Sequence, residues 1–399
     1  MAEHGRKIRR VRSEQKRVST PVLILGFAIV AGIGYVAGAF NSHLYGGFNT
    51  LIGKSQLDLS SVQATYQSVV DNFDGDIDKT KLVEGANRGL VEALGDQYTV
   101  YMNQKESTDF NDSLTGNIGG GIGVEISLRG GLPTVVRVLR DNPAEKAGVA
   151  VNDVVTAVNG EDVQDKTTTE IVTKIRGDAG TTVKLTVYRD GAAKDFTLTR
   201  EVVNNPSVYG SVVDGVGVMT ISRFDEKTGS LARALATEFK TAGVKGVVLD
   251  LRGNGGGYVT AAQDVAGIWL DKQVVVTEKK GSQVTDELKS GGSPILNGVP
   301  TVVLINSSSA SASEIVAGAL RDHKAASLMG EKSFGKGSVQ KIVGLSDGTT
   351  LKVTVARWYT PSGLNISKMG ITPDTTVVRT VDDLNANRDP QLDAAKAAL

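Results

Sequence analysis

Residues 301–319 read TVVLINSSSASASEIVAGA: an apolar run, then a loop of small hydroxyl residues, then a helical pattern. We expect a strand over Thr301–Asn306 and a helix over Ser313–His323. Strand and helix patterns alternate in the same way from Gly210 onward, which is typical of a layered α/β core. The other predicted core elements are strands at Val216–Ile221 and Val244–Leu251 and helices at Thr228–Thr241 and Thr260–Leu270.

Ser311 lies in the loop between this strand and this helix. A serine at such a turn can hold its hydroxyl exposed at the sheet edge, where backbone N–H groups also converge. Ser311-x-x-Glu314 is also a capping-box pattern, in which the serine only caps the helix. On spacing alone, Ser311 is more typical of a helix cap than of a nucleophile. A nucleophilic role for Ser311 therefore needs further support.

The chain has three histidines, and none is placed to serve Ser311 as a base. His4 and His43 flank an apolar N-terminal segment. His323 follows Ser311 by 12 residues, roughly 18 Å along a straight helix, so a Ser-His-Asp triad is not available without unusual geometry. A lysine can replace histidine when burial lowers its pKa and leaves it neutral.

Lys336 is the best candidate for such a lysine, because it lies between two glycines in GEKSFGKGSVQ, residues 330–340. This stretch nearly matches a phosphate-binding loop. Gly337, however, provides no hydroxyl for a magnesium ion, and a strand pattern follows instead of a helix. We therefore reject nucleotide binding. A surface lysine on a turn is the remaining alternative.

A glycine-rich turn, residues 252–257, follows the predicted strand Val244–Leu251. Glycines let backbone N–H groups point at a ligand, and a set of such donors can stabilise an oxyanion. The alternative is a flexible loop.

The composition excludes several functional classes. Lys+Arg and Asp+Glu both total 44, so no overall basic field attracts nucleic acid. The chain has no cysteine, which excludes disulfides, thiolate catalysis and Cys-ligated zinc. Its length of 399 residues indicates two or three domains.

The N-terminus predicts export. Residues 1–20 contain seven Lys/Arg and two acids, and residues 21–40 carry no charge. About 20 apolar residues can cross a bilayer, and the basic side should stay in the cytoplasm. We expect a single-pass anchor in the cell membrane with the functional part outside the cytoplasm. The A-x-A triplet Ala37–Ala39 leaves a cleaved signal and a secreted protein as the alternative.

The rest of the chain divides into segments of different pattern. Residues 57–115 are amphipathic and helical, from Leu57 to about Phe110, and a second copy could pack on them. Residues 116–202 are β-rich, with a short helix at Pro143–Gly148 and a hairpin turn at Asp190-Gly191. The other predicted segments are a tether at 41–56, the core at 203–380, and a tail at 381–399 with a short helix near Leu392–Leu399.

Two stretches, Ser309–Glu314 and Ser333–Gln340, resemble the motifs of the C-terminal processing (tail-specific) peptidases, the Ser/Lys peptidases of family S41. Val248–Gly257 is similar to the strand and glycine turn of that family. The resemblance covers about residues 57–375, and it departs from the family pattern at Ser333 and Leu364. Further blocks that match are Glu84–Ala86, Tyr98–Tyr101, Tyr359–Gly363 and Gly370–Asp374.

The resemblance implies a serine endopeptidase of mixed α/β fold without cofactor or metal. Ser311 would be the nucleophile, Lys336, 25 residues later, the base, and Gln340 the residue that orients the lysine. The backbone of Gly256, Gly257 and Ala312 would form the oxyanion hole. The competing class is a membrane-tethered scaffold with a degenerate protease body.

Residues 116–202 are similar to a PDZ module, through Gly120–Val124 and Asn142–Gly148. The resemblance implies that Gly121, Ile122, Gly123 and Val124 hold the C-terminal carboxylate of an unfolded or flexible protein, preferably one with a small or apolar end. Arg176 is a candidate contact for a switch between module and active site, and a solvated surface charge is its alternative.

Overall fold

The computed structural model describes residues 57–399, so the predicted membrane segment, residues 21–40, and the tether lie outside the described residues. Within residues 57–399, no helix combines the length and the apolar character needed to cross a bilayer. The chain divides into two units at Lys79/Thr80. The described part of the first unit contains one helix, α1, at Ser60–Asn72.

The second unit begins with a segment that is only partly helical. Helix α2 spans Lys79–Glu92, and helix α3, Gln104–Thr115, starts with a capping box between Asn103 and Glu106. Between them lies strand β1, Val100–Met102. The prediction of helix up to Phe110 was wrong at this strand, because β1 is extended by pairing with a strand 250 residues later (Val100 opposite Lys352).

The predicted PDZ module is a small sheet around its own apolar core. Its main sheet has the order β3-β4-β5-β7-β8, so β3 is an edge strand, and helix α5 packs near it. Asp190 and Gly191 both have positive φ and close the β7–β8 hairpin, as expected from the sequence. The elements are β2 Gly120–Gly121, β3 Val124–Arg129, β4 Leu132–Val138, α4 Pro143–Lys146, β5 Val154–Val158, β6 Glu161–Asp162, α5 Thr168–Ile175, β7 Thr182–Arg189, β8 Ala192–Thr199 and β9 Glu201–Val202.

The remaining residues form a layered α/β core, as the alternating pattern predicted. Most element ends lie within a few residues of the expected ones. The elements are β10 Val208–Val213, β11 Val216–Ile221, α6 Thr228–Thr241, β12 Gly246–Asp250, α7 Val259–Ala266, β13 Val274–Lys280, β14 Gln283–Lys289, β15 Thr301–Ile305, α8 Ala312–Asp322, β16 Ser327–Gly330, β17 Ser338–Gly344, a 3₁₀ turn Ser346–Gly348, β18 Thr350–Tyr359, β19 Thr375–Thr376, α9 Val381–Asn385 and α10 Pro390–Ala397.

The main core sheet has the order β10-β11-β12-β15-β16-β19, and all its pairs except β10–β11 are parallel. Successive side chains point to opposite faces. Val247 and Leu249 therefore join the core under helices α6, α7 and α8, whereas Val248 joins a second cluster that helix α10 covers. Burial on both faces explains the continuous apolar runs that the sequence shows here.

The parallel pairing positions the candidate site. Strands β12, β15 and β16 are neighbours that run in the same direction, so their carboxyl ends meet at one edge of the sheet. The glycine turn follows β12, the serine loop follows β15, and the Lys336 loop follows β16. A second sheet, β1-β18-β13-β14 with β17 paired to β18, carries Gln340 on β17.

Candidate active site

Ser311 has a backbone conformation that an ordinary helix cap does not adopt. Its φ is 55° and its ψ is −115°, whereas a capping serine normally lies in the β region. Residues in such sparsely populated conformations cluster at active sites, where the surrounding structure holds them in place. The amide of Ser311 donates to the Glu314 carboxylate (2.9 Å), and the residue is half-buried. The geometry therefore favours presentation of the hydroxyl over simple capping.

The neighbouring serines have other tasks. The hydroxyl of Ser309 is buried and donates to the carbonyl of Leu251 (2.8 Å). The hydroxyl of Ser313 is also buried and donates to the carbonyl of Asn254 (2.9 Å). Both side chains fasten the serine loop to the turn after β12. Ser311 is thus distinguished from them by its backbone and its partial exposure.

Asn254 organises the glycine turn, a role that no sequence motif predicted. Its side chain is fully buried, donates to the carbonyl of Ile221 (2.7 Å) and accepts from the amide of Gly256 (2.9 Å). Its own carbonyl accepts from the amide of Ala310 (3.0 Å). One asparagine therefore connects β11, the glycine turn and the serine loop. Its position as the one polar side chain among Gly253–Gly257 was the available signal.

The glycine turn is tightly packed, so the alternative of a flexible loop is wrong. Gly256 has a φ of 102°, and a Cβ there would lie 2.7 Å from the Cβ of Ser311. Gly257 has a φ of 145°, and a Cβ there would overlap the carbonyl of Phe224. Only glycine lets the turn approach the serine loop so closely.

The candidate oxyanion donors are not equivalent. The amide of Gly256 is already bonded to Asn254 Oδ1. Among residues 57–399, the amides of Gly257 and Ala312 donate no hydrogen bond. The amide of Ala312 belongs to the first turn of α8, where N–H groups have no partner within the helix. These two amides are available to a developing negative charge.

Glu314 connects the candidate nucleophile and base, a role that the capping pattern revealed only in part. Its carboxylate is fully buried and accepts four hydrogen bonds. Oε2 accepts from the amides of Ser311 (2.9 Å) and Lys336 (3.0 Å), and Oε1 accepts from the amide of Gly335 (2.7 Å) and the hydroxyl of Ser333 (2.5 Å). Burial raises the pKa of Glu314, while these donors oppose that rise.

The surroundings of Lys336 act on its pKa in both directions, and the net effect is a lowered pKa. Burial lowers the pKa of its ammonium, the nearby charge of Lys352 lowers it further, and Glu314 acts in the opposite direction. The Nζ atom lies 5.7 Å from the centroid of the Tyr98 ring. Within the described part of the chain, Nζ makes no ion pair and no hydrogen bond, so it is not bonded to Ser311 either. The structure thus brings the two backbones together but leaves the dyad unformed.

Gln340 makes no hydrogen bond to the Lys336 amine among the described residues. Its Nε2 donates to the hydroxyls of Ser338 (2.8 Å) and Thr354 (3.3 Å). His323 lies at the opposite end of α8, with Nε2 2.7 Å from the carbonyl of Val274, so it cannot act on Ser311, as predicted. Residues 57–399 contain no cluster of His, Asp and Glu suited to a metal ion.

A groove of about 280 Å³ in the predicted PDZ module brings together the residues expected to bind a peptide tail. It runs beside the edge strand β3 and helix α5. Arg176, at the end of α5, is exposed and lies at this groove, next to the glycine loop. The lining includes Gly121, Ile122, Gly123, Val124, Val172, Ile175 and Arg176.

Comparison with known families matches three parts of the chain. Residues 215–377 match peptidase family S41, residues 120–199 match a PDZ domain, and residues 48–106 match the N-terminal domain of the activating protease CtpB. The first match contains Ser311 and Lys336, and the second contains the groove.

Individual relatives extend the match to most of the chain. A probable CtpA-like serine protease of Staphylococcus haemolyticus is 36% identical over 360 residues, which are 89% of this chain and 72% of that protein. A carboxy-terminal-processing protease of Bartonella bacilliformis is 38% identical over 309 residues, 75% and 70% of the two chains. The solved structure of a photosystem II D1 C-terminal processing protease is 30% identical with a TM-score of 0.51, and the match covers 81% of this chain and 87% of that one. This chain therefore belongs to peptidase family S41 and is a serine protease with a PDZ domain.

Proposed function

We propose that this protease cleaves proteins near their C-termini by a dyad of Ser311 and Lys336, after its PDZ domain has bound the free C-terminal tail. The main structural support for the dyad is the carboxylate of Glu314, which accepts hydrogen bonds from the backbone amides of both residues. The relatives named for C-terminal processing support the substrate class.

In the proposed reaction, Ser311 Oγ attacks the peptide carbonyl and its proton passes to Lys336 Nζ. The C–N bond then breaks, and the Lys336 ammonium returns the proton to the leaving amine. Water then gives a proton to Lys336 and attacks the carbonyl of the resulting ester. The ester C–O bond to Ser311 breaks, the Lys336 ammonium returns its proton to Ser311 Oγ, and the new C-terminus leaves as a carboxylic acid. The lowered pKa of Lys336 supports this role, since only the neutral amine can accept a proton.

The oxyanion of each tetrahedral intermediate would be bound by the amides of Gly257 and Ala312. Their free N–H groups support this assignment, and such donors contribute about 3–4 kcal/mol to a transition state. Gly256 would contribute through its lack of a side chain, because its own amide is bonded to Asn254. Gln340 would hold the Lys336 amine after it turns away from Thr354.

The PDZ domain would bind a tail as an added strand on the free edge of β3. Amides of Gly121–Val124 would hold the terminal carboxylate, and the apolar side chains of Ile122, Val172 and Ile175 would favour a small or apolar last residue. Arg176, beside this loop, would sense the bound carboxylate and link it to the active site.

The dyad is tested with Ser311→Ala against Ser308→Ala, an exposed serine of the same loop. Purified variants are incubated with casein and with an unfolded protein that has an apolar tail. We expect Ser311→Ala to abolish cleavage and Ser308→Ala to retain it. Cleavage by Ser311→Ala would contradict the assignment of the nucleophile. No cleavage by the unmodified protein would instead favour a PDZ scaffold with a degenerate protease body.

Tail capture is tested separately, with Val172→Glu in the groove and Thr173→Glu on the exposed side of the same helix. An added carboxylate in the groove should repel the tail carboxylate. The preference for an apolar tail with a free C-terminal carboxylate over the same tail with an amidated C-terminus should therefore disappear in the first variant alone. Equal preference in both variants would count against capture by this groove.

We also propose that the chain is anchored in the cell membrane through residues 21–40, works outside the cytoplasm and forms a homodimer. The basic cluster in residues 1–20 supports the orientation. A C-terminal tag on intact cells should be digested by added protease, and a protected tag would contradict the orientation. Light scattering of the soluble part would measure the oligomeric state.

A further inference from the structure

The turn between α2 and β1 is hydrogen-bonded to strand β18 of the second sheet. The Asp96 carboxylate accepts from the amide of Tyr98 (3.2 Å) and from the hydroxyl of Thr99 (2.6 Å). The Thr99 hydroxyl in turn accepts from the amide of Thr354 on β18 (3.1 Å), and Thr99 is buried. The following strand β1 pairs with β18. The position of Tyr98 is therefore fixed by its neighbours in the turn.

The same turn contacts Lys336 directly and is linked to Gln340 through Thr354. The ring of Tyr98 lies 5.7 Å from Lys336 Nζ, and Gln340 Nε2 is bonded to Thr354, the residue that Thr99 holds. Among the described residues, Nζ has no hydrogen bond that would compete with the ring. Among residues 57–399, neither Lys336 Nζ nor the Gln340 side chain makes a hydrogen bond to Ser311.

An aromatic face attracts an ammonium ion through its quadrupole, and it has no comparable attraction for a neutral amine. The other charged groups around Lys336 are Lys352, from β18, and Glu314, from α8. Lys352 repels the Lys336 ammonium, and Glu314 attracts it. The Tyr98 ring therefore acts with Glu314 to favour the protonated form.

We propose that Tyr98 is a positioning residue for Lys336: its ring holds the lysine as an ammonium ion, away from Ser311, and the side chain leaves the ring when it acts as base. This proposal rests on the proposed function, in which Lys336 is the base. It assigns a role in catalysis to the N-terminal segment, which supplies no group to the dyad itself.

The test compares Tyr98→Leu and Tyr98→Met, which remove the aromatic face, with Tyr98→Phe, which keeps it and removes the phenol. Loss of the face should lower the pKa of Lys336, so the rise of activity with pH should move to lower pH by about half to one unit. Below the midpoint the Leu and Met variants should be about three- to tenfold faster than wild type, while the Phe variant keeps the wild-type midpoint.

The pKa of Lys336 is also measured without cleavage, in a Ser311→Ala background, by trace acylation with acetic anhydride at a series of pH values and mass spectrometry of the Lys336 peptide. Tyr359→Leu is the matched control, because it removes a ring 4.4 Å from Lys279 Nζ instead. A midpoint of Lys336 that stays constant or rises in folded Leu and Met variants would overturn the proposal. If wild type cleaves nothing, the proposed function fails, whereas this labelling still tests the Tyr98 contact.

Discussion

The backbone amides of Ser311 and Lys336 donate to the same oxygen of one buried carboxylate, at 2.9 and 3.0 Å. These residues are 25 positions apart in the chain and lie on loops that follow different strands. Glu314 thus fixes the distance between the two backbones. The Lys336 side chain, by contrast, has no hydrogen bond or ion pair among the described residues, and its Nζ atom lies over the Tyr98 ring.

We expect Glu314→Gln to impair both folding and catalysis. An amide offers one acceptor oxygen and turns its NH₂ group toward two of the four donors, so buried N–H or O–H groups lose their partner. The loss should be about 1–3 kcal/mol in the free energy of unfolding, measured with urea. Displacement of the loops should reduce kcat by about a hundredfold.

Glu331→Gln is the control for this substitution, because Glu331 is a half-exposed glutamate just after β16 in the same region. It should change the unfolding free energy by less than about 0.5 kcal/mol. Equal behaviour of the two variants would contradict the role given to Glu314.

Lys336→Met should abolish cleavage while making the protein more stable near neutral pH. Burial lowers the pKa of Lys336 in the folded state, so the folded protein holds this proton less tightly than the unfolded chain. Between the two pKa values the unfolded chain binds more protons, and stability rises with pH. The stability that Met gains over Lys should therefore be largest below the folded pKa and decline toward pH 10.

The measurement is urea unfolding of both proteins from pH 7 to pH 10, together with turnover of casein. Lys332→Met, at an exposed lysine of the same loop, should give no such pH-dependent difference. A stability difference for Lys336→Met that is constant with pH would mean that the folded protein does not perturb this lysine.

Gly256→Ala should disrupt the turn that supports Ser311. Alanine combines an unfavourable φ of 102° with a Cβ 2.7 Å from the Cβ of Ser311 and 2.8 Å from the carbonyl of Ala310. We expect a loss of about 2–4 kcal/mol in stability and most of the activity. Gly253→Ala is matched, since its φ is 72° but its Cβ would meet open space. That variant should lose only about 1 kcal/mol and stay active.

The sequence predicted the loops and the candidate residues of the site, but it did not predict the hydrogen bonds that join these loops. The alternation of strand and helix patterns predicted a layered α/β core and placed Ser311 in a strand-to-helix turn. That the Lys336 loop meets this turn at one sheet edge depends on the pairing of β15 with β16, which the patterns did not predict. The buried hydrogen bonds of Asn254 depend on groups dozens of residues away, which no local pattern encodes. Strand β1 and the contact of Tyr98 with Lys336 likewise depend on pairing with β18. The helical pattern of the surrounding residues predicted neither of them.

Arg252 links the glycine turn to the C-terminal tail. Its guanidinium donates to both oxygens of Asp250 (2.7 and 2.9 Å) and both oxygens of Asp389 (2.8 and 2.9 Å), and also to Gln391 (2.8 Å). Asp389 also caps helix α10 by accepting from the amide of Leu392 (3.0 Å). Breaking this arrangement should loosen both the tail helix and the turn that follows β12.

We therefore expect Asp389→Asn to reduce stability by about 2–3 kcal/mol and to lower kcat more than it raises KM, because the turn positions groups at the reacting carbonyl. Burial alone would raise the pKa of Asp389, but the hydrogen bonds from Arg252 hold it below its usual value. A carboxyl with a lowered pKa loses its stabilising effect as pH falls through that pKa, so the difference between wild type and variant should shrink below about pH 4. Asp393→Asn is the control, because its ion pair with Lys396 (3.6 Å) is exposed and should matter by less than about 0.5 kcal/mol. If Asp389→Asn and Asp393→Asn gave the same kcat, the tail would have no part in positioning the glycine turn.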